Sequence, residues 1–202
     1  MSFADRQRAA LTALLEELGP FAPTRCEGWN TGDLATHLWV REHRPDALPG
    51  IGLKQFAGHT ERVQKEALHR WGYPKLVADL HSTPVWRRPV SPLMDGAEYF
   101  IHHEDVLRAN DRSQDINPDE QRSLWKIVQL LARKAQLRKP YRLAVTPLGT
   151  AERRVFGKGR TTVHVAGLPS ELLLHFSGRD ADVTVTAEPE VRSAYLDSIG
   201  AL

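Results

Sequence analysis

Cysteine is almost absent from the chain: Cys26 is the single one in 202 residues. One thiol excludes an internal disulfide, a Cys-x-x-Cys redox pair and a zinc cluster of several thiolates, so any metal must be held by nitrogen and oxygen. A large excess of charge of either sign is also missing. Lysine and arginine number 27 against 25 aspartates and glutamates, a net +2 with pI near 8.8. That is not the dense positive field that phosphate backbones call for, and no nucleic acid is expected as a partner. No apolar run approaches the roughly 18 residues of a membrane span. The opening Met1-Ser2-Phe3-Ala4-Asp5-Arg6 lacks the apolar stretch of a secretory signal. The expectation is a cytoplasmic enzyme or binding protein with no membrane association.

Histidine, in contrast, is plentiful. Nine are present, of the residue type that is the commonest metal ligand and the one side chain that titrates near neutrality. Apolar residues make up 41% of the chain, enough for a real core in one large domain or in a medium domain with a small appendage.

The first two-thirds read as helices. Leu11, Leu14, Leu15 and Leu18 form one face of a helix over 3 to 18, closed by Gly19-Pro20. A second begins at Asn30, where Asp33 completes a capping-box pattern and Leu34 and Leu38 supply an inner row, with Pro45 and Pro49-Gly50 beyond it. A third is expected over 53 to 71 through Phe56, Val63, Ala67 and Trp71, with a short piece from Pro74 to Leu80. Residues 83 to 92 carry three prolines and read as a loop. Two more helices follow, over 94 to 109 and 118 to 137. The latter has Asn117 as N-cap, Pro118 at the first position and Glu120 at the third. After Pro140 short β-type runs take over at 142 to 146, 152 to 156, 161 to 166 and 182 to 186, with helices at 168 to 176 and 189 to 198. The expected boundary therefore lies at 140, giving a helical domain over 1–140 and a small α+β domain over 141–202.

The segment Asp95-Gly96-Ala97-Glu98-Tyr99-Phe100-Ile101-His102-His103-Glu104-Asp105-Val106 carries the chemistry. On a helix Glu98, His102 and Asp105 stand at i, i+4 and i+7, on one stripe flanked by Met94, Ile101, Val106 and Ala109, while His103 and Glu104 point away. Three ionisable groups among apolar neighbours are costly to bury without compensation, and a bound cation supplies it. His37 sits between Leu34 and Leu38 on the inner row of the second helix. His37, Glu98 and His102 would form a two-His one-carboxylate set with an open position, and Asp105 would orient a ligand or a bound water. The same residues admit plainer readings: a core histidine bonded to a carbonyl, and a helical Glu98–His102 ion pair.

The run Cys26-Glu27-Gly28-Trp29-Asn30-Thr31-Gly32-Asp33-Leu34-Ala35-Thr36-His37-Leu38, followed by Glu98-x-x-x-His102-x-x-Asp105, resembles the DinB-like metalloproteins. Specifically, it is similar to the mycothiol-dependent maleylpyruvate isomerase group of actinobacteria. The resemblance covers roughly residues 5 to 137, and the tail looks like the small sterol-carrier-shaped domain that follows the bundle in that group. It implies a mainly α protein, a DinB-like four-helix bundle with a small C-terminal α+β domain. By motif, it places His37, Glu98 and His102 on the family's three zinc-ligand positions. It further implies a zinc enzyme, as Zn2+ or another divalent metal, that uses mycothiol or a similar low-molecular-weight thiol against a small electrophilic substrate. The outcome is S-transfer or cis-trans isomerisation, by a monomer or homodimer. Such a chain needs no cysteine of its own, since a metal-bound thiol loses its proton at neutral pH. Asp105 is then the catalytic candidate, to take or relay a proton. Arg41 and Arg44, one and nearly two turns beyond His37, are candidates to bind a carboxylate near the metal as cofactor-binding residues, the plainer reading being solvated arginines at a helix end. The chain is shorter than the isomerase, and the C-terminal arginine that such enzymes direct at substrate has no clear counterpart. Alternatives are a hydrolase using zinc-bound hydroxide and a non-enzymatic binder with a vestigial metal site.

Other signals are weaker. Gly157-Lys158-Gly159-Arg160-Thr161 lacks phosphate-loop spacing and reads as a hairpin turn between two strands. Arg133, Lys134, Arg138, Lys139 and Arg142 read as the solvated end of a helix. Cys26 reads as a small buried residue, with a thiol made reactive by the nearby helix N-terminus as the alternative, and His59, His69, His81, His164 and His175 have no partner at ligand spacing.

Overall fold

The computed structural model describes residues 2–48, 57–84, 92–150 and 152–200. Among them are eight α-helices and four strands, so the protein is mainly α with a small C-terminal sheet. It divides into two compact units, Met1–Gln114 and Asp115–Leu202.

The first unit holds α1 (Phe3–Leu18), α2 (Thr31–His43), a 3-10 turn at Pro45–Ala47, α3 (Ala57–Trp71), α4 (Tyr73–Leu80) and α5 (Pro92–Ala109). Local chemistry sets the helix starts. Ser2 with Asp5 and Asn30 with Asp33 form reciprocal capping boxes at α1 and α2. The first helix stops at Gly19, whose φ of 73° is open to glycine at little steric cost. One core cluster joins α1, α2, α4 and α5 through Leu11, Leu15, Leu34, Leu38, Leu80 and Tyr99. Under α3 a smaller one forms from Val63 and Ala67 with Val40 and Ala47. Residues 53–56 of the expected third helix, Phe56 among them, and residues 85–91 of the expected loop lie outside the described residues.

A charged pair runs through this core. Arg8 on α1 donates to Glu42 Oε2 at 2.9 Å, to the Leu80 carbonyl at 2.9 Å and to the Tyr99 hydroxyl at 2.6 Å, and Tyr99 in turn donates to Glu42. Arg8 is 5% exposed and Glu42 fully buried. Charges so placed are tolerated only because every one has a hydrogen-bonded partner.

In the second unit α6 (Pro118–Gln136), α7 (Pro169–Phe176) and α8 (Pro189–Gly200) accompany β1 (Arg142–Pro147), β2 (Arg154–Phe156), β3 (Thr162–Gly167) and β4 (Val183–Thr186). Strand order is β2-β1-β3-β4. The central β1–β3 pair is parallel, with Val145 opposite Val165, and both outer pairs are antiparallel. Asn117, Pro118 and Glu120 start α6 with a capping box. That helix packs against α7 and β1, so it belongs with the sheet, and the division between units falls at 114/115, upstream of the onset of strands near 140.

The glycine-rich segment after β2 is not a hairpin turn. It joins β2 to β3, which lie on opposite sides of β1. A side chain on Gly157 would run into Gln136, and one on Gly159 into the backbone of Pro140 and Tyr141. Close packing where the chain passes the start of β1 accounts for both glycines. No helix among the described residues is long and apolar enough to cross a membrane.

Candidate metal centre

Two helices of the first unit meet at one carboxylate. His37, 6% exposed, lies between the fully buried Leu34 and Leu38, and α5 presents Glu98 and His102 one turn apart. His37 Nε2 is 3.3 Å from Glu98 Oε1, and His102 Nε2 is 3.4 Å from the same oxygen. The two imidazoles stand edge-on, with centroids 5.3 Å apart.

These separations can be compared with what a cation needs. Tetrahedral coordination with bonds of about 2.0–2.1 Å places neighbouring donor atoms about 3.3–3.4 Å apart. The two nitrogen–oxygen edges fall on that value, and the donor set of two imidazoles and a carboxylate suits zinc, iron or nickel. The residues fit a divalent metal. The side chains of His37 and His102 are 8% and 7% exposed whereas that of Glu98 is 26% exposed, so the cluster is open on the Glu98 side.

Electrostatics sort the three groups. Burial is the largest influence on His37 and lowers its pKa against the opposing pull of Glu98, leaving a neutral imidazole. Burial also works against the charged form of His102, but hydrogen bonding to Asp105, Cys26 and Glu98 prevails and holds its pKa well above the ordinary value. For Glu98, burial raises the pKa, yet His102, His37 and Arg41 outweigh it and keep the carboxyl well below its usual range.

A second layer fixes this cluster. Asp105, 1% exposed, accepts from His102 Nδ1 at 3.0 Å, the arrangement that leaves Nε2 facing Glu98. Arg41 Nε is 3.4 Å from Glu98 Oε1 and its Nη1 donates to Asp95 at 3.0 Å. The Trp29 ring lies 5.1 Å from that of His37, tilted by 50°.

No family model matches the chain, and no curated protein does. Among solved structures, the crystal structure of the mycothiol-dependent maleylpyruvate isomerase matches with TM-score 0.59 and 15% identity, covering 92% of this chain and 90% of that one. The chain shares that fold. A histidine-to-alanine mutant of the isomerase matches over the same shares of both chains, at 15% identity and TM-score 0.55.

Of the residues singled out in the sequence, the structure brings together His37, Glu98, His102, Asp105 and Arg41. Arg44 is elsewhere. It caps the end of α2 with φ −127° and ψ 78° and turns to Asp46, bonding it at 2.8 and 2.9 Å on the surface. His103 and Glu104 do point away from the cluster, but they are buried. His103 Nδ1 meets Gln7 at 2.9 Å and Glu104 takes hydrogen bonds from Arg108 and Gln114. Sequence reasoning missed the contact of Cys26 with Asp105, at 3.2 Å. Its signal was present in the chain, as a single cysteine just upstream of the motif that carries His37.

Proposed function

We propose that the protein is a metal-dependent enzyme, with zinc the first candidate, that uses a low-molecular-weight thiol such as mycothiol against a small electrophilic substrate, as an S-transferase or a cis-trans isomerase. The observation that carries this reading is the convergence of His37 Nε2 and His102 Nε2 on Glu98 Oε1 at tetrahedral spacing, open on one side. The fold shared with a mycothiol-dependent isomerase supports it.

His37, Glu98 and His102 would hold a divalent metal here, and its chemistry would be to lower the pKa of a thiol bound to it so that a thiolate is available at neutral pH. The chain contributes the rest. His37 and His102 offer nitrogen lone pairs, Glu98 offers an oxygen, and Asp105 keeps the Nδ1 proton of His102 in place. Arg41, engaged with Glu98 and Asp95, orients the carboxylate ligand in this reading, with the thiol and substrate approaching from the exposed side of Glu98. Attack of the thiolate on an electrophilic carbon forms a sulfur–carbon bond and either displaces a leaving group, such as the halide of a haloarene, or pushes the π pair of a conjugated double bond onto the neighbouring carbon. Transfer keeps the sulfur–carbon bond, with the leaving group released or the adduct protonated. Isomerisation instead follows rotation about the resulting carbon–carbon single bond, the electron pair returning to re-form the double bond and expel the thiolate.

The test is elemental analysis of protein purified without added metal, followed by turnover of a haloarene or bimane electrophile with and without small thiols. Near-stoichiometric metal and thiol-dependent turnover are expected. Turnover indifferent to thiol would establish the hydrolase chemistry instead, and protein free of zinc, nickel and iron would remove the metal reading.

A further inference from the structure

The connection from α1 to α2, residues 19–30, is folded onto the end of α5. Its Arg25 N–H donates to the Asp105 carbonyl at 2.9 Å, and Asn110 Nδ2 donates to the Pro23 carbonyl at 3.1 Å. Within the loop Thr24 Oγ1 accepts from Cys26 N–H at 3.1 Å and donates to the Trp29 carbonyl at 2.9 Å. These bonds set the position of one thiol. Cys26 Sγ lies 3.2 Å from Asp105 Oδ2 and 3.7 Å from His102 Nδ1.

Asp105 Oδ2 thus receives two donors, the thiol of Cys26 and Nδ1–H of His102. An imidazole has one proton to place when neutral, and the nitrogen whose hydrogen is held by a carboxylate keeps it. The other nitrogen then carries the lone pair. We propose that Cys26 is a positioning residue of the metal centre: its S–H, donated to Asp105 Oδ2, holds that carboxylate against His102 Nδ1 and so keeps His102 Nε2 the metal-facing nitrogen.

This inference rests on the metal-centre reading above. It gives the thiol a role distinct from two others. A ligand sulfur must come within about 2.3 Å of zinc, whereas Cys26 stands on the Nδ1 side of the ring, away from the Nε2 that meets Glu98. A purely packing residue would be replaceable by any side chain of similar volume, with or without a donor.

The experiment measures zinc affinity of the metal-free full chain by competition with a chromophoric chelator. It compares wild type, Cys26→Ser, Cys26→Val and Cys26→Ala, each with its thermal midpoint, and repeats Cys26→Ala in an Asp105→Ala background. Loss of an outer partner of a metal ligand costs about 10–100-fold, and Cys26 is one bond further out. Valine and alanine are expected to weaken zinc about 3–10-fold, and serine, which keeps a donor, to stay within about 2-fold. Without Asp105 the cysteine substitution should add nothing. Unchanged affinity in both donor-less variants would overturn the proposal, as would an equal loss in the Asp105→Ala background. Cobalt(II) decides the remaining case: a thiolate-to-cobalt charge-transfer band in wild type that vanishes in Cys26→Ala would make Cys26 a ligand and overturn the positioning role. Wild type that binds neither ion overturns the metal reading itself, a result distinct from wild type and variants binding alike.

Discussion

His37 and His102 come from different helices and stop edge-on, 5.3 Å apart, with Nε2 of each within 3.4 Å of one Glu98 oxygen. His103 follows His102 in sequence but turns to Gln7. Replacing His37 or His102 by Ala should therefore weaken zinc by more than about 100-fold, beyond what loss of an outer partner costs. His103→Ala should keep the metal and lower stability. Dialysis against chelator followed by elemental analysis checks this, and equal metal loss from all three variants would refute the assignment of helix faces.

Metal loading should release protons in a number set by the three ligands. At pH 7 His37 is neutral, because burial lowers its pKa, and Glu98 is ionised, because its hydrogen bonds and Arg41 hold it low. His102 alone keeps an extra proton, its pKa being raised well above 6.5. Zinc binding should therefore expel about one proton from the ligand set. Affinity should rise with pH until the raised pKa of His102 is passed. Calorimetry in buffers of different ionisation enthalpy reads the number directly, and a slope near zero or two would contradict the assigned protonation states.

Much of this was legible in the sequence because the governing interactions are local. Asn30 with Asp33, and Asn117 with Pro118 and Glu120, mark helix starts by contacts within three residues. The stripe Glu98, His102, Asp105 follows from helical pitch alone. What escaped depends on long-range placement. Cys26 reaches Asp105 across 79 positions, where bonds from Arg25 N–H to the Asp105 carbonyl and from Asn110 to the Pro23 carbonyl fold the loop onto α5. Arg8, Glu42 and Tyr99 come from three helices. Arg41 and Arg44 look alike in sequence, but Arg44 sits where the helix ends, and the changed backbone angles carry it to Asp46. Burial of His103 and Glu104 was hidden because α5 is covered on more than one side, so its polar face is not its solvent face.

The buried Arg8–Glu42 pair gives a stability prediction. Glu42→Ala leaves a guanidinium that is 5% exposed with the neutral Leu80 carbonyl and Tyr99 hydroxyl as hydrogen-bond partners, and removal of one partner from such a pair costs about 3–5 kcal/mol. The double substitution Arg8→Met with Glu42→Leu removes both charges and should cost less than Glu42→Ala alone. Urea unfolding of the three proteins provides the comparison, and a double variant less stable than the single would show that the pair stabilises the fold beyond its desolvation cost.

His175 sets an acid limit in the second unit. Its Nε2 lies 2.7 Å from the Tyr195 hydroxyl, and burial pushes its pKa down to about 4. The folded state thus binds its proton less readily than the unfolded chain, whose histidine titrates near 6.5. For a basic group depressed on folding, stability is complete above the unfolded pKa. It is lost as pH falls from about 6.5 to about 4, because only the unfolded state gains the proton in that window. His103, also pushed down to about 4 by burial, adds to the same slope, while metal-free His102, raised instead, carries its proton in both states below about 6.5 and acts only above that window. His175→Gln keeps a hydrogen-bond partner for Tyr195 and removes the titration. Its urea midpoint should therefore depend less on pH between 7.5 and 4.5 than that of wild type, both loaded with metal to the same extent. An unchanged slope would mean that His175 takes its proton in the folded state as readily as in the unfolded one.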